Sequence, residues 1–286
     1  MAITDIEKHL FGKTHTAVTR VGLGGEGVLR TFDRSGEAGA VIQAAIAQGI
    51  TYYDCARVYS DSERYYGSHW KKHPQTRAAI FQTSKSARRD RQGALAELEE
   101  TLARLNTDYL DLWQIHDVRT EAELERIAGS GGALEAFVNA RQQGRVRHIG
   151  VTGHHDPAVL NRAVREWPVD AVLMPVNPAE GVLGGFLTQT LPTAQQKGVA
   201  VIGMKILGAG QFIVPRQGVT AELLIRYALD RGVTVAIVGC STPGEVDTLA
   251  EIGRAGEPLS ADEHDRLIEL FTPHARKLAF YRGWNE

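Results

Sequence analysis

Eight short runs of aliphatic, β-branched and aromatic residues recur at similar intervals along this chain of 286 residues. Several are apolar almost throughout, which is typical of parallel strands that are covered on both faces. Stretches with helical spacing lie between the runs, so strand and helix alternate eight times, and this order requires right-handed crossovers between parallel strands. The runs are residues 18–25, 50–54, 78–85, 109–116, 146–153, 171–176, 199–205 and 233–239.

The stretches between the runs carry apolar residues at three- or four-residue steps, as amphipathic helices do. Residues 93–105 place a row of leucines on one helical face. In residues 132–146 a similar face ends at Gly144, where a C-terminal cap glycine belongs. The leucine row consists of Leu95, Leu98, Leu102 and Leu105.

Eight parallel strands permit either a closed barrel or an open, doubly wound sheet. The chain length and the even spacing favour the barrel, since barrels of roughly 250 residues form one domain. Residues 9–20, before the first strand, are predicted to form a hairpin with Gly12 and Lys13 at its turn. No linker divides the sequence, so we predict one domain over residues 1–286, a (β/α)8 TIM barrel with an N-terminal β-hairpin cap.

Composition and charge narrow the function classes. A formal charge of −2 gives no general attraction to nucleic acid or to an anionic membrane, so we expect neither as a partner. No apolar run approaches the roughly 20 residues of a membrane span, and the N-terminus lacks the apolar region of a signal peptide. Two cysteines, far apart in sequence, suit a reducing compartment. We therefore expect a cytoplasmic protein that acts on a small molecule.

Titratable side chains stand where successive strands end. Asp54 ends the second strand with Tyr59 just beyond it, Lys85 ends the third, and His116 ends the fourth. In a parallel barrel the carboxyl ends of the strands form one rim, and the active site lies at this rim. A lysine held by an aspartate favours the phenolate form of a nearby tyrosine, which can then exchange a proton with a carbonyl or alkoxide oxygen. These residue types therefore favour carbonyl reduction or alcohol oxidation.

Four separated motifs resemble the signatures of the aldo-keto reductase family. They are DCARVYS (54–60), FQTSK (81–85), DLWQIHD (111–117) and RHIGVTG (147–153), and the resemblance covers nearly the whole chain. It implies a (β/α)8 barrel that binds a nicotinamide cofactor without a Rossmann domain. It also implies hydride transfer between that cofactor and a small carbonyl or alcohol substrate.

The resemblance also assigns roles to single residues. Asp54 and Lys85 would tune Tyr59, the general acid in reduction and base in oxidation, while His116 would orient the substrate carbonyl. Thr152 would hold the nicotinamide carboxamide. The implied cofactor-binding set is Gly24, Gly25, Asp54, Thr152, Met174, Met204, Lys205, Leu207, Gly239, Cys240, Ser241 and Glu245.

Several of these positions depart from the family pattern. Gly153 follows Thr152 where an asparagine is usual, Met174 stands in place of a glutamine that meets the carboxamide, and Met204 replaces an aromatic residue that stacks on the nicotinamide. These changes leave open a second function, that of a cofactor-bound regulatory protein that turns over slowly.

The cofactor preference rests on the end of the eighth strand. Glu245 stands near the position where NADP-preferring members place an arginine, and the next basic residue is Arg254. A carboxylate repels the 2′-phosphate of NADP and accepts hydrogen bonds from the free ribose of NAD. Lys205 could compensate for this charge. Because members of the family commonly use NADP(H), we expect NADP(H) rather than NAD(H) as the cofactor, by a small margin.

Two further motifs receive structural interpretations. The basic loop 85–92, which includes Arg89, is predicted to be solvated rather than to bind phosphate. His154 and His155, with His116, would suit a metal-dependent hydrolase, but adjacent histidines point to different sides and Asp156 suits a helix cap. We therefore predict no metal site.

Overall fold

A ring of eight parallel strands forms the centre of the molecule, which is described here by a computed structural model covering residues 5–284. The barrel is closed, because the last strand pairs with the first barrel strand, and helices connect the strands in the predicted alternation. The barrel consists of β3–β10, and β1 and β2 form a separate hairpin. Their bounds are β1 Lys8–Leu10, β2 Ala17–Thr19, β3 Val21–Gly27, β4 Tyr52–Tyr53, β5 Phe81–Ser86, β6 Leu110–Ile115, β7 Val146–Thr152, β8 Ala171–Pro175, β9 Ala200–Met204 and β10 Val235–Cys240.

The helices surround the barrel and follow the predicted amphipathic segments. The leucine row lies on the fourth helix, and Gly144 adopts the left-handed conformation (φ 73°) just after the sixth. The helices are α1 Ser35–Ala47, α2 Ser62–Lys72, α3 Pro74–Ala79, α4 Arg91–Leu105, α5 Glu121–Ala128, α6 Ala133–Gln142, α7 Pro157–Glu166, α8 Pro178–Leu183, α9 Leu191–Gln196, α10 Ala221–Asp230, α11 Pro243–Ala255, α12 Ala261–Phe271 and α13 Ala275–Leu278.

The N-terminal hairpin differs from the prediction in two respects. Residues 18–25 do not form one strand, because the chain breaks at Arg20: β2 pairs antiparallel with β1, and β3 belongs to the barrel. The connection between the hairpin strands is also longer than a turn at Gly12 and Lys13, since it spans residues 11–16. The reason is Phe11, which leaves the hairpin and enters the barrel.

Two apolar layers hold the barrel together. One lies between the strands and the helices. The other fills the barrel interior, and Phe11 closes its lower end. The Phe11 ring lies 4.7 Å from that of Phe81 and 6.2 Å from that of Tyr52, both at the beginning of their strands. The hairpin therefore caps the bottom of the barrel with an aromatic plug and leaves the opposite rim for the polar strand ends.

Removing this plug should destabilise the protein. We expect Phe11→Ala to lower the free energy of unfolding by about 3–5 kcal/mol, since the side chain is fully buried and its loss leaves a cavity. Leu10→Ala is the matched control, because the neighbouring Leu10 side chain is 66% exposed and its loss should change stability by no more than about 0.5 kcal/mol. Urea denaturation of both variants measures the difference, and equal effects would contradict the plug.

Candidate active site

A buried ion pair joins the ends of β4 and β5. Lys85 Nζ lies 2.6 Å from Asp54 Oδ2 and donates a second hydrogen bond, of 2.8 Å, to the Cys55 carbonyl. Thr83 donates to the other oxygen of Asp54 at 3.0 Å. Burial lowers the pKa of Lys85, but the charges of Asp54 and Tyr59 and the hydrogen bond to Asp54 together outweigh it, so the net direction is upward. The amine is therefore a fixed positive charge beneath the rim.

Tyr59 lies directly over this charge. Lys85 Nζ is 4.7 Å from the centre of the Tyr59 ring, and the His116 ring meets the same ring edge-on with centres 5.6 Å apart. The structure thus brings together all four residues that the strand ends predicted. Burial raises the pKa of the Tyr59 phenol, and the lowering by Lys85 only partly offsets it, so the net shift runs against the lowered pKa that the sequence suggested.

Glycines at the end of β3 make room for this arrangement. A Cβ atom on Gly25 would lie 2.7 Å from Tyr59 Cδ2, and one on Gly24 would lie 2.9 Å from the backbone of Gly239 in β10. Such distances are shorter than a carbon contact allows. Both glycines therefore serve the close approach of Tyr59 and of β10, whatever they contribute to a cofactor pocket.

His116 is held in the neutral form. Burial and the positive charge of Lys85 lower the pKa of its imidazole to about 3. A neutral imidazole carries one N–H donor and one acceptor, and it stays so throughout the physiological pH range. Next to Tyr59 it can donate a hydrogen bond to an oxygen atom without adding a charge of its own.

Arg89 fixes the chain at the end of β6, a role that the sequence did not predict. Its guanidinium donates to the carbonyls of His116, at 2.8 Å, and Asp117, at 2.7 Å, and it pairs with Glu123. The predicted solvated loop is thus wrong for this arginine, whose side chain is only 15% exposed. Thr152 supports the same corner, since its Oγ1 accepts from the Asp117 amide at 2.7 Å.

A second histidine lies beyond this corner. His154 Nε2 is 3.2 Å from Asp117 Oδ1, and its Nδ1 is 3.2 Å from the carbonyl of Tyr281. His155 instead lies against Gly283 and accepts from its amide through the backbone carbonyl at 3.1 Å. The adjacent histidines therefore contact different neighbours, as the sequence suggested, and only His154 belongs to the rim.

The C-terminal tail is anchored beside His154 by a buried polar cluster. Tyr281 Oη donates to Glu180 Oε1 at 2.9 Å and accepts from Asn177 at 2.9 Å. Arg282 forms an ion pair with the same carboxylate, and neither side chain of the pair is more than 8% exposed. The tail is thus fixed to the loop that follows β8 and forms one wall of the rim.

Met204 ends β9, and Lys205 directly follows it. Both are half-buried, and the Lys205 backbone adopts the left-handed conformation with φ 54°. Its Nζ lies 5.2 Å from the centre of the Tyr281 ring. Asn177 donates to the Lys205 carbonyl at 3.1 Å and so joins this strand end to the tail cluster.

Met174 does not face the rim, and the prediction for this side chain is wrong. It is fully buried in the layer between the strands and the helices, together with Val172 and Val176. Its neighbour Leu173 faces the barrel interior instead. Because side chains alternate along a strand, a shift of one residue in the comparison with a known motif moves a side chain to the opposite face.

The end of β10 carries four of the residues predicted to bind the cofactor, and they differ in burial. The Cys240 side chain is buried in the outer layer, so only its backbone can line a cofactor site, while Gly239 and Leu207 are half-buried. Glu245 lies at the beginning of α11, where its Oε2 accepts from the Ser241 amide at 2.6 Å. Thr242 is the N-cap residue of α11, and its Oγ1 accepts from the Glu245 amide at 3.3 Å.

Two negative findings apply to residues 5–284. No group of three or more histidine, cysteine or acidic side chains is placed so that it could hold a metal ion. No helix in this range is long and apolar enough to cross a bilayer.

The neutral state of His116 is open to measurement. In two-dimensional imidazole NMR spectra, the His116 nitrogen shifts should stay those of a neutral ring from pH 8 to pH 5, because its pKa is about 3. The signals are assigned by their loss in His116→Gln. The unfolded chain, with a histidine pKa of about 6.5, binds more protons between pH 6.5 and 3, so this residue should reduce stability as the pH falls through that interval. A titration near pH 6.5 would contradict the burial argument.

Comparisons with known proteins identify the family and the fold of this chain. A model of the Aldo/keto reductase family matches residues 20–213. The chain is 27% identical over 207 residues to aldo-keto reductase str7 of Strobilurus tenacellus, a match covering 68% of this chain and 59% of the relative. It is 27% identical over 256 residues to L-galactose dehydrogenase of Arabidopsis thaliana, covering 85% and 78%.

A solved structure shares the fold. Aldo-keto reductase AKR11C1 from Bacillus halodurans, in its holo form, superimposes with a TM-score of 0.77 over 93% of this chain and 96% of that chain, at 19% identity. This similarity concerns the fold alone, whereas the family model covers more than half of the sequence and includes Asp54, Tyr59, Lys85 and His116. The chain belongs to the aldo/keto reductase family.

Proposed function

We propose that the protein is a nicotinamide-dependent oxidoreductase that interconverts a carbonyl and an alcohol, with Tyr59 as the proton donor and acceptor. The observation that carries the proposal is the buried Asp54–Lys85 pair, whose amine lies 4.7 Å from the centre of the Tyr59 ring beside a neutral His116. Relatives with names such as L-galactose dehydrogenase and glyoxal reductase support this reaction class.

The nicotinamide, when bound, supplies or accepts the hydride, and the protein handles the proton. In reduction the Tyr59 O–H bond breaks as an O–H bond forms on the substrate oxygen, and in oxidation the proton returns. Lys85 stabilises the phenolate that forms, and Asp54 holds Lys85 in place. His116 donates its N–H to the same oxygen. The negative charge that develops on this oxygen is therefore stabilised by fixed donors rather than by water.

Residues at the rim fit a nicotinamide cofactor. The Thr152 hydroxyl already accepts a hydrogen bond from Asp117, so its own proton is free to be donated to a carboxamide oxygen. Met204 ends β9 half-buried and offers a thioether for contact with an aromatic ring. The Met174 side chain takes no part, since it faces the helices.

The geometry weighs toward NAD(H), against the sequence-based preference for NADP(H). Glu245 lies in the first turn of α11, where its carboxylate accepts from the Ser241 amide and places a negative charge at the helix end that attracts anions. Arg254 donates instead to the backbone and side chain of Gln48. Lys205, the proposed compensating cation, lies against Tyr281.

Replacing Tyr59 with Phe should abolish proton transfer. We expect turnover of aldehydes to fall by about 10² to 10⁴, because the hydroxyl is the general acid, while dinucleotide affinity stays close to that of the unaltered protein. Steady-state rates and tryptophan fluorescence titration measure the two quantities. Undiminished turnover would remove Tyr59 from this role. Tight cofactor binding with no turnover in the unaltered protein would support the regulatory alternative.

Cofactor preference gives a separate test. The unaltered protein should bind NADH more tightly than NADPH, and Glu245→Gln should improve NADPH affinity roughly tenfold relative to NADH, because the amide oxygen can still accept from the Ser241 amide but the repelling charge is lost. Fluorescence titrations with both dinucleotides provide the ratio. Glu251→Gln, on the exposed side of α11, is the control for a general change of charge. A ratio that is unchanged in Glu245→Gln would show that this carboxylate does not face the 2′ position.

A further inference from the structure

The charges around the rim are balanced with one exception. Lys85 pairs with Asp54 at 2.6 Å, Arg30 with Glu26 at 2.6 Å, and Arg119 with Asp117 at 2.6 Å. Arg89 likewise has Glu123. Among residues 5–284, the Lys205 amine has neither an ion pair nor a hydrogen-bond acceptor, and the ring of Tyr281 is its contact.

This amine is also partly withdrawn from water. Lys205 is half-buried, and burial lowers the pKa of its amine, with a further decrease from the charge of Arg30. The negative charges of Glu26 and Asp117 act on it only at a distance and do not reverse the shift. A cation in this position loses hydration without receiving a partner. An anion bound beside it would replace the favourable interaction with water that burial removes.

We propose that Lys205 binds an anionic group of the substrate, so that the protein acts on carbonyl compounds that carry a carboxylate or a similar acid. This inference rests on the proposed function, since it names the substrate class of the same site. Lys205 directly follows β9, and the anion would bind beside the tail residue Tyr281 while the carbonyl reaches Tyr59 and His116.

The pyrophosphate of the cofactor has related anionic chemistry, and the surroundings of the amine favour the substrate. Lys205 lies against Tyr281, and the neighbouring His154 has Asp117 Oδ1 and the Tyr281 carbonyl each 3.2 Å from one of its ring nitrogens. Asp117 follows His116 directly in sequence. The amine therefore lies beside the C-terminal tail, which is where we place the anionic group of the substrate.

Two matched aldehydes test the proposal. We expect the unaltered enzyme to reduce 4-carboxybenzaldehyde with a kcat/KM about tenfold above that for its neutral analogue, methyl 4-formylbenzoate, because a charge-assisted hydrogen bond to the amine favours the acid. In Lys205→Met this ratio should fall to about one, and Lys205→Arg should retain most of it. An unaltered enzyme without a preference for the acid, or a preference that survives in Lys205→Met, would overturn the proposal.

Binding measurements separate failure of this inference from failure of the proposed function. With the dinucleotide bound, 4-methylbenzoate should bind about tenfold more tightly than 4-methylbenzamide, and Lys205→Met should lose that difference in calorimetry. This result without any turnover would contradict the oxidoreductase function and still support the anion site. If Lys205→Met weakens NADH binding more than benzoate binding, the amine belongs to the pyrophosphate and the proposal fails.

Discussion

Closure of the barrel is the constraint on which the rest of the structure depends. All eight barrel strands are parallel, and because β10 pairs with β3 the ring is closed and their carboxyl ends meet at one rim. A lysine that ends β5 and an aspartate that follows β4 are then neighbours without any special motif to join them. The hairpin and Phe11 fill the opposite end. The fold thus separates a structural end from a chemical end, as parallel barrels do.

The buried ion pair of Asp54 and Lys85 at the rim depends on this arrangement of the strand ends. A fully buried ammonium is costly unless its protons are satisfied, and here a carboxylate and a backbone carbonyl satisfy two of them. The charge is therefore fixed in direction and protected from water, and it acts on the tyrosine ring above it. The same burial raises the pKa of the Tyr59 phenol, so the residue is protonated at neutral pH.

Much of this could be predicted from the sequence, because strand order and strand-end residues are local properties of the chain. All eight barrel strands and the four residues at the rim were predictable in this way. Met174 was not, since only the register shows that Leu173 faces inward. Nor was Arg89, because nothing in a run of three nearby arginines indicates which of them reaches the carbonyls of His116 and Asp117. Such long-range contacts depend on how loops from different strands approach each other.

The anchoring of the tail has a consequence for exchanging parts between related proteins. Tyr281 and Arg282 are held by Glu180 and Asn177, which belong to the loop after β8 and the helix it enters. A transplanted tail without a tyrosine and an arginine at these positions would leave the Glu180 carboxylate buried without its two donors. The tail and the segment after β8 therefore depend on each other. A chimaera that aims to reshape the entrance must exchange both segments together.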